Sequence, residues 1–575
     1  MADVGWGMKR NIIAAMVLFG FWNSAFAQVS SSSGGPATDV YRPSLDSLPR
    51  PTASTITGSQ MRPSELGAAS QIFYERCAGC HGVLRQGATG RALPAETMSA
   101  LGEDEVVRRI THGGDTGMPS WGASEILSQN EIKLMARYLM VPPSSPPEFG
   151  LSSMRESWRN VVPMANRPIK KMNDLDLDNM FAVVLRDIDQ VALIDGNSKK
   201  VVATIPTGHA VHVVRPSLSR RYLHIISRDG KASLVDLWSQ APQLVAEIKI
   251  GYEARAVEPS KFKGYEDRYV AVGAYWPPQF TILDGNTYEP LNVISTRGMI
   301  AGSGDYHPEA RVASIIASYE RPEFLVNVKE TGQALLVDYT DVVNPTIKSL
   351  KAERFLHDGG LDSTRRYALI AANAEDKVVV VDTKERRVAA VVEKGIGIRP
   401  HPGRGANINH PQFGPAWVTG HLGDSTIAII GTDPDKHPKN AWKVVQNLKG
   451  LGNGSLFSTT HPKSHHLWVD APMNPSPNIA GSVAVFDVNH LDKPAKILPV
   501  ANLAGINDNS AKVVHAAYDR SGQEVWLSVW NRVDRQSAIV VLDDETMKVK
   551  TIIADDRIKT PTGKFNIFNT GQDIY

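Results

Sequence analysis

The sequence contains very little cysteine, since Cys77 and Cys80 are the only two in 575 residues. A structural zinc site of the usual kind needs a second pair of ligands, and no second pair of cysteines exists to complete one. A protein that uses both thiols at one site also has none left for a disulfide. The shortage directs attention to the short segment that holds both thiols.

Long apolar runs and an excess of charge are also missing. No stretch reaches about 18 consecutive apolar residues, so we expect no membrane insertion of the mature protein. Basic residues number 62 and acidic residues 60, and a net charge of +2 gives no indication of nucleic-acid binding. We therefore expect no nucleic-acid partner. The length allows two to four domains, or one large repeat body with a smaller domain.

The N-terminal segment has the pattern of an export signal. Residues 1–27 contain a basic Lys9-Arg10 pair, an apolar run and the small-residue site Ser24-Ala25-Phe26-Ala27, which predicts cleavage after Ala27. Residues 28–62 are rich in Ser, Gly, Pro and Thr without helical periodicity, which predicts a flexible arm.

The two cysteines stand in Cys77-Ala78-Gly79-Cys80-His81. C-x-x-C-H is the attachment signature of a c-type haem, in which two thiolates add to porphyrin vinyl groups and the histidine becomes the proximal iron ligand. A redox dithiol or half of a zinc site is the alternative. The lack of further cysteines favours haem c.

The residues around this motif have helical periodicity. Helices are predicted from Pro63 into Cys77, from Glu103 to Thr111, and from the capping box Ser128-x-x-Glu131 until Pro142. Three short helices around one C-x-x-C-H predict a small all-α cytochrome c domain over residues 63–145, followed by a proline-rich linker over 146–173.

The sixth ligand of the haem iron is expected in the loop before the last helix. Met118 stands in Gly117-Met118-Pro119, where the proline stiffens the chain beside a thioether that raises the iron potential. His112 is the alternative ligand. The motif favours Met118.

From residue 174 to 575 the period of the pattern changes to two. Eight short β-branched runs each end in an aspartate or its equivalent, followed by a turn and another strand, at intervals of about 41 to 56 residues. This period is typical of β-propeller blades and predicts an eight-bladed β-propeller. A pair of β-sandwiches is the alternative, but it would not explain one repeated turn. The markers are Asp195, Asp236, Asp284, Asp338, Asp382, Gly431, Asp487 and Asp543.

Histidines and arginines recur beside the expected inner strands. Taken singly, each histidine is more readily explained as a surface residue, and each arginine as one half of a salt bridge between blades. Several of them around one axial pocket would instead suit a ligand with several carboxylates. The histidines are His209, His212, His357 and His401, and the arginines are Arg186, Arg215, Arg228, Arg255 and Arg404.

Longer motifs resemble one known family. RCAGCHGVLRQGATG, GMPSWG, KFKGYEDRY, GAYWPPQF, FLHDGG, HPGRGAN and TPTGKFNIFNT are similar to segments of cytochrome cd1 nitrite reductase, and the similarity runs from about residue 63 to Tyr575. The resemblance implies one covalent haem c, one noncovalent haem d1 on the propeller axis, a homodimer and a periplasmic location. It implies reduction of nitrite to nitric oxide and water, with electrons from a small periplasmic cytochrome c or cupredoxin. Reduction of dioxygen to water is an implied side activity.

The resemblance also assigns site residues. It implies that His81 and Met118 ligate the haem c iron, that His212 ligates the haem d1 iron, and that His357 and His401 are the catalytic proton donors over the distal face. Tyr41 in the arm is a candidate distal cap. Residues matching positions that contact haem d1 are Trp121, Arg186, Arg215, Arg228, Arg255, Tyr275, Arg404, Phe457 and Thr562.

Two positions depart from the family pattern. His209 stands where members often have tyrosine, which places a second imidazole near His212. His515 stands where some members have a glutamine that contacts haem d1, which puts that hydrogen bond in question.

Three rival functions remain open at this point. A haem d1 maturation dehydrogenase would share the scaffold, but the pair His357 and His401 favours the reductase. A pyrroloquinoline-quinone dehydrogenase fused to a cytochrome often has adjacent cysteines near the quinone, and none remain here. A non-enzymatic electron carrier would use the propeller only for docking.

Overall fold

The computed structural model describes residues 61–87, 90–113, 118–123, 126–143, 147–531 and 535–575. All of these lie in one compact unit, Gly58–Tyr575. The predicted export signal, most of the arm and Tyr41 lie outside the described residues. Within the described part of the chain, no helix is both long and apolar enough to cross a membrane.

The first described segment is a small helical domain. A π-helical turn over Phe73–Cys77 joins the first helix to the second, so the haem motif continues one helical run. The helices are α1 Pro63–Ile72, α2 Ala78–His81, α3 Ala95–Leu101, α4 Glu103–His112 and α5 Gln129–Leu139. The sequence pattern did not predict α3.

The capping box predicted for the last of these helices is present. Ser128 Oγ accepts a hydrogen bond from the Glu131 backbone N–H at 3.3 Å, and the Glu131 carboxylate accepts one from the Ser128 N–H at 2.7 Å. The face that follows, with Ile132 and Met135, is at most 1% exposed and packs on Phe73 in the domain core. Apolar spacing and local capping therefore determine this helix together.

Residues 147–173 connect the two domains and pack against the propeller. They contain α6, Leu151–Ser157. Arg159 and Glu247 then exchange backbone hydrogen bonds of 2.8 and 3.0 Å, and the Val162 N–H donates to the Val245 carbonyl. This connection is thus fastened to the outer edge of the second blade.

The remainder forms eight four-stranded antiparallel sheets in the described residues. Blade 1 contains β1 Met180–Leu185, β2 Gln190–Asp195 and β3 Val201–Pro206, and blade 2 contains β4 Val211–Pro216, β5 Tyr222–Ser227, β6 Lys231–Asp236 and β7 Gln243–Lys249. Blade 3 contains β8 Glu253–Pro259, β9 Tyr269–Trp276, β10 Gln279–Asp284 and β11 Pro290–Ser295. After the two-stranded ribbon of β12 Gly298–Met299 and β13 Tyr306–His307, blade 4 contains β14 Val312–Ala317, β15 Glu323–Val328, β16 Gln333–Asp338 and β17 Thr346–Lys351.

Blades 5 to 8 follow the same order from inner to outer strand. Blade 5 contains β18 Leu356–Leu361, β19 Tyr367–Ala372, β20 Lys377–Asp382 and β21 Arg387–Val392, and blade 6 contains β22 Ala406–His410, β23 Gly414–Thr419, β24 Thr426–Gly431 and β25 Val444–Lys449. Blade 7 contains β26 Ser458–Thr459, β27 His466–Asp470, β28 Val483–Asp487 and β29 Lys496–Leu498. Blade 8 contains β30 Lys512–Tyr518, β31 Glu524–Trp530, β32 Ser537–Asp543 and β33 Val549–Ile553. Short helices α7 Pro477–Ala480 and α8 Val500–Leu503 lie between strands of blades 7 and 8.

The last strand closes the ring. β34, Pro561–Asn566, is the innermost strand of blade 1 and pairs with β1, so residues near both ends of the propeller segment share one sheet. Helix α9, Ile567–Gly571, follows it. The predicted fold class, a small helical domain followed by an eight-bladed β-propeller, is confirmed.

The repeated aspartates end the third strand of their blades. Each of the eight markers is the last residue of β2, β6, β10, β16, β20, β24, β28 or β32. Asp195, for example, accepts a hydrogen bond from the Asn197 N–H at 2.8 Å, and Asp284 accepts one from the Asn286 N–H at 2.9 Å. A carboxylate that binds the backbone two residues later stabilises the turn, which explains why the repeat was visible in the sequence.

Candidate functional site

The haem motif presents an imidazole nitrogen beside two thiols that form no disulfide. His81 Nδ1 donates to the Arg91 carbonyl at 2.7 Å. Because a carbonyl only accepts, Nδ1 holds the proton and Nε2 keeps the lone pair that an iron ion needs. Burial lowers the pKa of His81, which favours the neutral imidazole. Neither Cys77 nor Cys80 forms a disulfide, so the donor set fits a covalently attached haem c.

The two candidates for the sixth ligand lie in different surroundings. Met118 is partly buried and packs against the core of the helical domain. His112 ends α4 and is exposed. Residues 114–117 lie outside the described part. The packing supports Met118, which stays a prediction.

Irregular pairing of the inner strands places several candidate residues of the propeller. The inner strands of six blades have a shift of register against the next strand of the blade. A β-bulge leaves its residue unpaired and re-aims the side chain. Candidate residues within these shifts are His212, Arg255, His357, His515 and Thr562.

His357 and His401 come together although they belong to blades 5 and 6. Their ring centroids are 5.2 Å apart, and Asp358 lies beside both. His357 Nδ1 is 3.3 Å from Asp358 Oδ1, and His401 Nε2 is 3.5 Å from Asp358 Oδ2. The first contact is an ion-pair distance without hydrogen-bond alignment. The sequence reasoning missed Asp358, although it directly follows His357 in FLHDGG.

Burial and the attraction between opposite charges shift the pKa values of this cluster in opposite directions. Burial lowers the pKa of His357 to about 4, against the attraction of Asp358. Burial also acts to raise the pKa of Asp358, but His357 and His401 together hold it well below its usual range. The carboxylate is therefore an anion, and its attraction favours the charged form of the His357 imidazole.

His212 is set apart from this pair by its neighbours. Its ring is open to solvent in the hub, yet the surrounding protein and the cations Arg255 and Arg228 hold the pKa of His212 well below its ordinary value. The imidazole is therefore neutral, the form that coordinates iron. His209 has other contacts, since its Nδ1 lies 3.2 Å from Asp189 Oδ2 and its ring is 6.4 Å from that of Trp121.

Four of the five predicted arginines pair with two carboxylates of one strand. Glu258 of β8 binds Arg215 and Arg404, each at 2.9 Å, and Glu253 binds Arg228 at 3.1 Å and Arg255 at 3.4 Å. Salt bridges between blades, the alternative interpretation of the sequence, are thus present. The sequence reasoning missed both glutamates because nothing local indicates which blades meet.

Positive charge nevertheless remains in the hub. Burial and repulsion from Arg228 lower the pKa of Arg186. Three cations surround the ring of buried Tyr275, with Arg255, Arg311 and Lys329 at 4.7, 5.1 and 5.6 Å from its centroid. Arg255 is paired with Glu253 and Arg311 with Glu330. Such surroundings fit a planar cofactor with several carboxylates. Arg311 and Lys329 were not predicted.

His515 adopts a defined tautomer at the position where the family pattern is broken. Its Nδ1 accepts the Lys564 backbone N–H at 3.0 Å, so the proton of the neutral ring is on Nε2. Burial, followed by repulsion from Lys564, keeps the pKa of His515 well below its ordinary value. The ring stacks on Phe457, with centroids 4.2 Å apart. Like the glutamine amide of some family members, the ring therefore offers a hydrogen-bond donor, its Nε2–H.

The helical domain contacts the propeller through the haem motif. A Cβ on Gly79 would overlap the Glu253 carboxylate, so the motif and the carboxylate are in direct contact. Arg228 Nη2 is 3.4 Å from Cys80 Sγ. The haem c motif therefore lies against β8, the strand whose carboxylates bind the hub arginines.

Together these features define a c-type cytochrome joined to a haem-binding β-propeller. The family model described as "Cytochrome D1 heme domain" matches residues 175–570, and the model described as "Cytochrome C oxidase, cbb3-type, subunit III" matches residues 65–139. The chain belongs to the cytochrome cd1 nitrite reductase family. Its cofactors are one haem c and one haem d1.

Relatives of known function share most of the chain. A nitrite reductase of Stutzerimonas stutzeri is 47% identical over 90% of this chain and 95% of its own. A dihydro-heme d1 dehydrogenase of Pseudomonas aeruginosa is 26% identical over 87% of this chain and 93% of its own. A solved structure of a dihydro-heme d1 dehydrogenase in complex with DHE has a TM-score of 0.66 at 23% identity, and the match covers 88% of this chain and all of that one. This last similarity shows the fold alone.

Proposed function

We propose that the protein is a periplasmic nitrite reductase that converts nitrite to nitric oxide and water by one-electron reduction. The observation that supports this most directly is the pair of imidazoles, His357 and His401, 5.2 Å apart in the propeller hub. The reaction consumes one electron and two protons for each nitrite, and the pair provides one proton donor for each proton.

The residues of the chain have distinct parts in this proposal. When bound, haem d1 supplies the iron at which one nitrogen–oxygen bond of nitrite breaks. His212 would hold that iron. His357 and His401 would bind the anion and donate protons to the departing oxygen. Asp358 would favour the protonated form of His357, because an adjacent anion opposes the burial that lowers its pKa.

Electrons would enter at the cytochrome domain. Haem c, held by Cys77, Cys80, His81 and Met118, supplies the entry point for one electron from a small periplasmic cytochrome c or cupredoxin. We also propose reduction of dioxygen to water as a side activity, and a homodimeric state. Arg186, Arg215, Arg228, Arg255, Arg404, Tyr275, Phe457, Thr562 and Trp121 would contact haem d1.

The proposed organisation follows the sequence boundaries. Residues 1–27 would be removed on export, 28–62 form the arm, 63–145 the cytochrome domain, 146–173 the linker and 174–575 the propeller. Tyr41 remains the proposed distal cap.

One rival function is that of a dihydro-haem d1 dehydrogenase, which shares the scaffold. The identity of 47% to a nitrite reductase, against 26% to such a dehydrogenase, favours the reductase. The two enzymes differ in what they consume, so direct assay separates them.

A spectroscopic experiment tests the proposal. The exported protein is purified with its cofactors, reduced, and its spectrum is recorded before and after addition of nitrite. We expect both haem c and haem d1 bands, reoxidation by nitrite and nitric oxide as product. A haem c spectrum without haem d1, or a reduced protein that nitrite does not reoxidise, would refute the proposal.

The proton donors are tested by substitution. His357→Ala and His401→Ala should each lower nitrite turnover on the order of 10²-fold, because each removes a general acid, while haem c reduction by the donor persists. His490→Ala is the control, since His490 is exposed on blade 7. Undiminished turnover in both hub variants would exclude these roles.

A further inference from the structure

One buried carboxylate connects several segments around His401 and His515. Asp470 is the last residue of β27 in blade 7 and is 3% exposed. Its Oδ1 accepts the backbone N–H groups of Leu456 and Phe457, both at 2.9 Å, and its Oδ2 accepts that of His515 at 2.9 Å. The side chain thus ties the segment before β26 to the bulge of β30.

The segment that Asp470 holds is the support of His401. The Leu456 carbonyl accepts the Nδ1–H of His401 at 3.3 Å. Because this bond fixes the proton on Nδ1, it leaves Nε2 facing Asp358 at 3.5 Å. Moving Leu456 would therefore rotate the imidazole or change its tautomer.

A second contact joins the same segment to the turn that follows His401. Gly403 has a φ of +62°, and a Cβ there would lie 2.7 Å from Phe457 Cδ1. The ring of Phe457 stacks in turn on His515. Blades 6, 7 and 8 therefore meet at one small cluster beneath the distal residues.

The charge of Asp470 strengthens this arrangement. Hydrogen bonds from N–H groups to a carboxylate are stronger than those to a neutral oxygen. Three such bonds and the attraction of His401 oppose the cost of burial, which raises the pKa of Asp470 to about 6. The group is therefore largely an anion at neutral pH.

We propose that Asp470 is a positioning residue that acts through Leu456 to orient His401 for proton donation. This inference rests on the proposed function. Asparagine at this position removes the negative charge that strengthens the bonds from Leu456 and Phe457, and whichever way the amide turns, its NH2 group meets a backbone N–H. Asp470→Asn therefore loses at least one of three bonds and weakens the rest, with little change of volume.

The test is a double-mutant cycle in the holoenzyme with nitrite as substrate. Asp470→Asn should lower kcat on the order of tenfold, since a small misplacement of a catalytic group has large effects, and should change KM little. In the His401→Ala background the same substitution should have less than about a twofold effect, because coupled residues are not additive.

Asp362→Asn is the matched control. Asp362 is 1% exposed and accepts backbone hydrogen bonds from Tyr367 at 2.9 Å and Thr364 at 3.1 Å, but it follows β18 at the end of the strand opposite to His357. It should lower stability and leave kcat unchanged. Equal kcat losses in both asparagine variants, or a full effect of Asp470→Asn in both backgrounds, would overturn the inference.

A second variant tests the same proposal if Asp470→Asn folds poorly or binds too little haem d1. Gly403→Ala places a methyl group against Phe457 and should lower kcat, again with little further effect in the His401→Ala background. Additive losses would contradict the proposed link. A wild-type protein that does not turn over nitrite refutes the proposed function instead, so the two failures are distinct.

Discussion

At the scale of single residues, the hub depends on paired charges. Arg215 is 2% exposed, and Glu258, its partner at 2.9 Å, is 1% exposed. A guanidinium at such depth is tolerated because Glu258 is close and bidentate and Asp573 provides a second carboxylate at 2.9 Å. The same strand supplies Glu253 for Arg228 and Arg255. One strand, β8, therefore supplies carboxylates to four of the hub arginines.

Buried histidines give the stability of the fold a pH dependence. His224 is fully buried in blade 2, where its Nδ1 contacts the Tyr288 hydroxyl at 3.0 Å. Burial lowers the pKa of His224 to about 3. Below an unfolded pKa of about 6.5 the unfolded chain takes up a proton that the folded protein refuses, so stability falls as the pH drops from there toward 3.

We expect His224→Gln to remove this contribution. Between about pH 6 and pH 4 the decline of the free energy of unfolding should be shallower than in the wild type by about 1.4 kcal/mol per pH unit. Urea midpoints measured along this range provide the comparison, with exposed His490→Gln as the control. Parallel pH profiles for the wild type and His224→Gln would contradict a neutral buried His224.

Residue types were predictable from the sequence, but their partners were not. His357 and His401 were identified from FLHDGG and HPGRGAN, and the structure brings them to 5.2 Å. Glu253 and Glu258 were missed because their role depends on which blades face each other. Asp358 was in view beside His357, yet only the fold shows that it also reaches His401.

At the scale of elements, the propeller is closed by β34 and by aromatic packing between blades 1 and 8. This interface between the first and last blades is called the seam. Phe181 of β1 and Trp526 of β31 stack with centroids 3.9 Å apart and an angle of 16°. Both are fully buried in one cluster that joins blades 1 and 8. The seam is therefore packed like the interfaces between consecutive blades.

This packing predicts a specific loss of stability. Trp526→Ala should lower the free energy of unfolding by about 3–5 kcal/mol, since it leaves a cavity that neighbouring strands cannot fill. Trp468→Ala is the comparison, because Trp468 is equally buried at the interface of blades 7 and 8 and its indole N–H also reaches a carboxylate. If Trp526→Ala costs less than half as much as Trp468→Ala in urea unfolding, the seam is a weak point and the prediction is wrong.

The repeat was predictable because its turns are local. Aspartates such as Asp195 and Asp284 bind the backbone two residues later, so each turn is specified within a few residues. The bulges that hold His212 and Thr562 depend on neighbouring strands and leave no local signal. The closing partner of β1 lies some 380 residues away, beyond any periodic pattern.

At the scale of the whole molecule, the two haem sites are joined by a small contact surface. Gly79 lies on the Glu253 carboxylate, which holds Arg228 and Arg255, and the ring of Trp121 lies 6.4 Å from that of His209. In the proposed function, electron transfer between the haems would depend on this contact, because it fixes their separation. The glycine of the motif leaves room for the carboxylate.

A methyl group at this point should disturb transfer without disturbing either haem site alone. In Gly79→Ala either Glu253 moves and loosens its bridges to the two arginines, or the cytochrome domain shifts away from the propeller. The attachment motif is preserved, so haem c should form with its normal spectrum. In stopped-flow experiments we expect haem c to be reduced at the wild-type rate, and haem d1 to be reduced several-fold more slowly.

Gly67→Ala provides the matched control. Gly67 is an exposed residue of α1, and a Cβ there has no neighbour within 4 Å. Alanine in a helix interior is favoured over glycine by roughly 1 kcal/mol, so this variant should be at least as stable as the wild type and transfer electrons at the same rate. If Gly79→Ala and Gly67→Ala transfer electrons equally fast, the contact between Gly79 and Glu253 does not control the separation of the haems. A selective loss in Gly79→Ala would place that control at the carboxylate that also anchors the hub arginines.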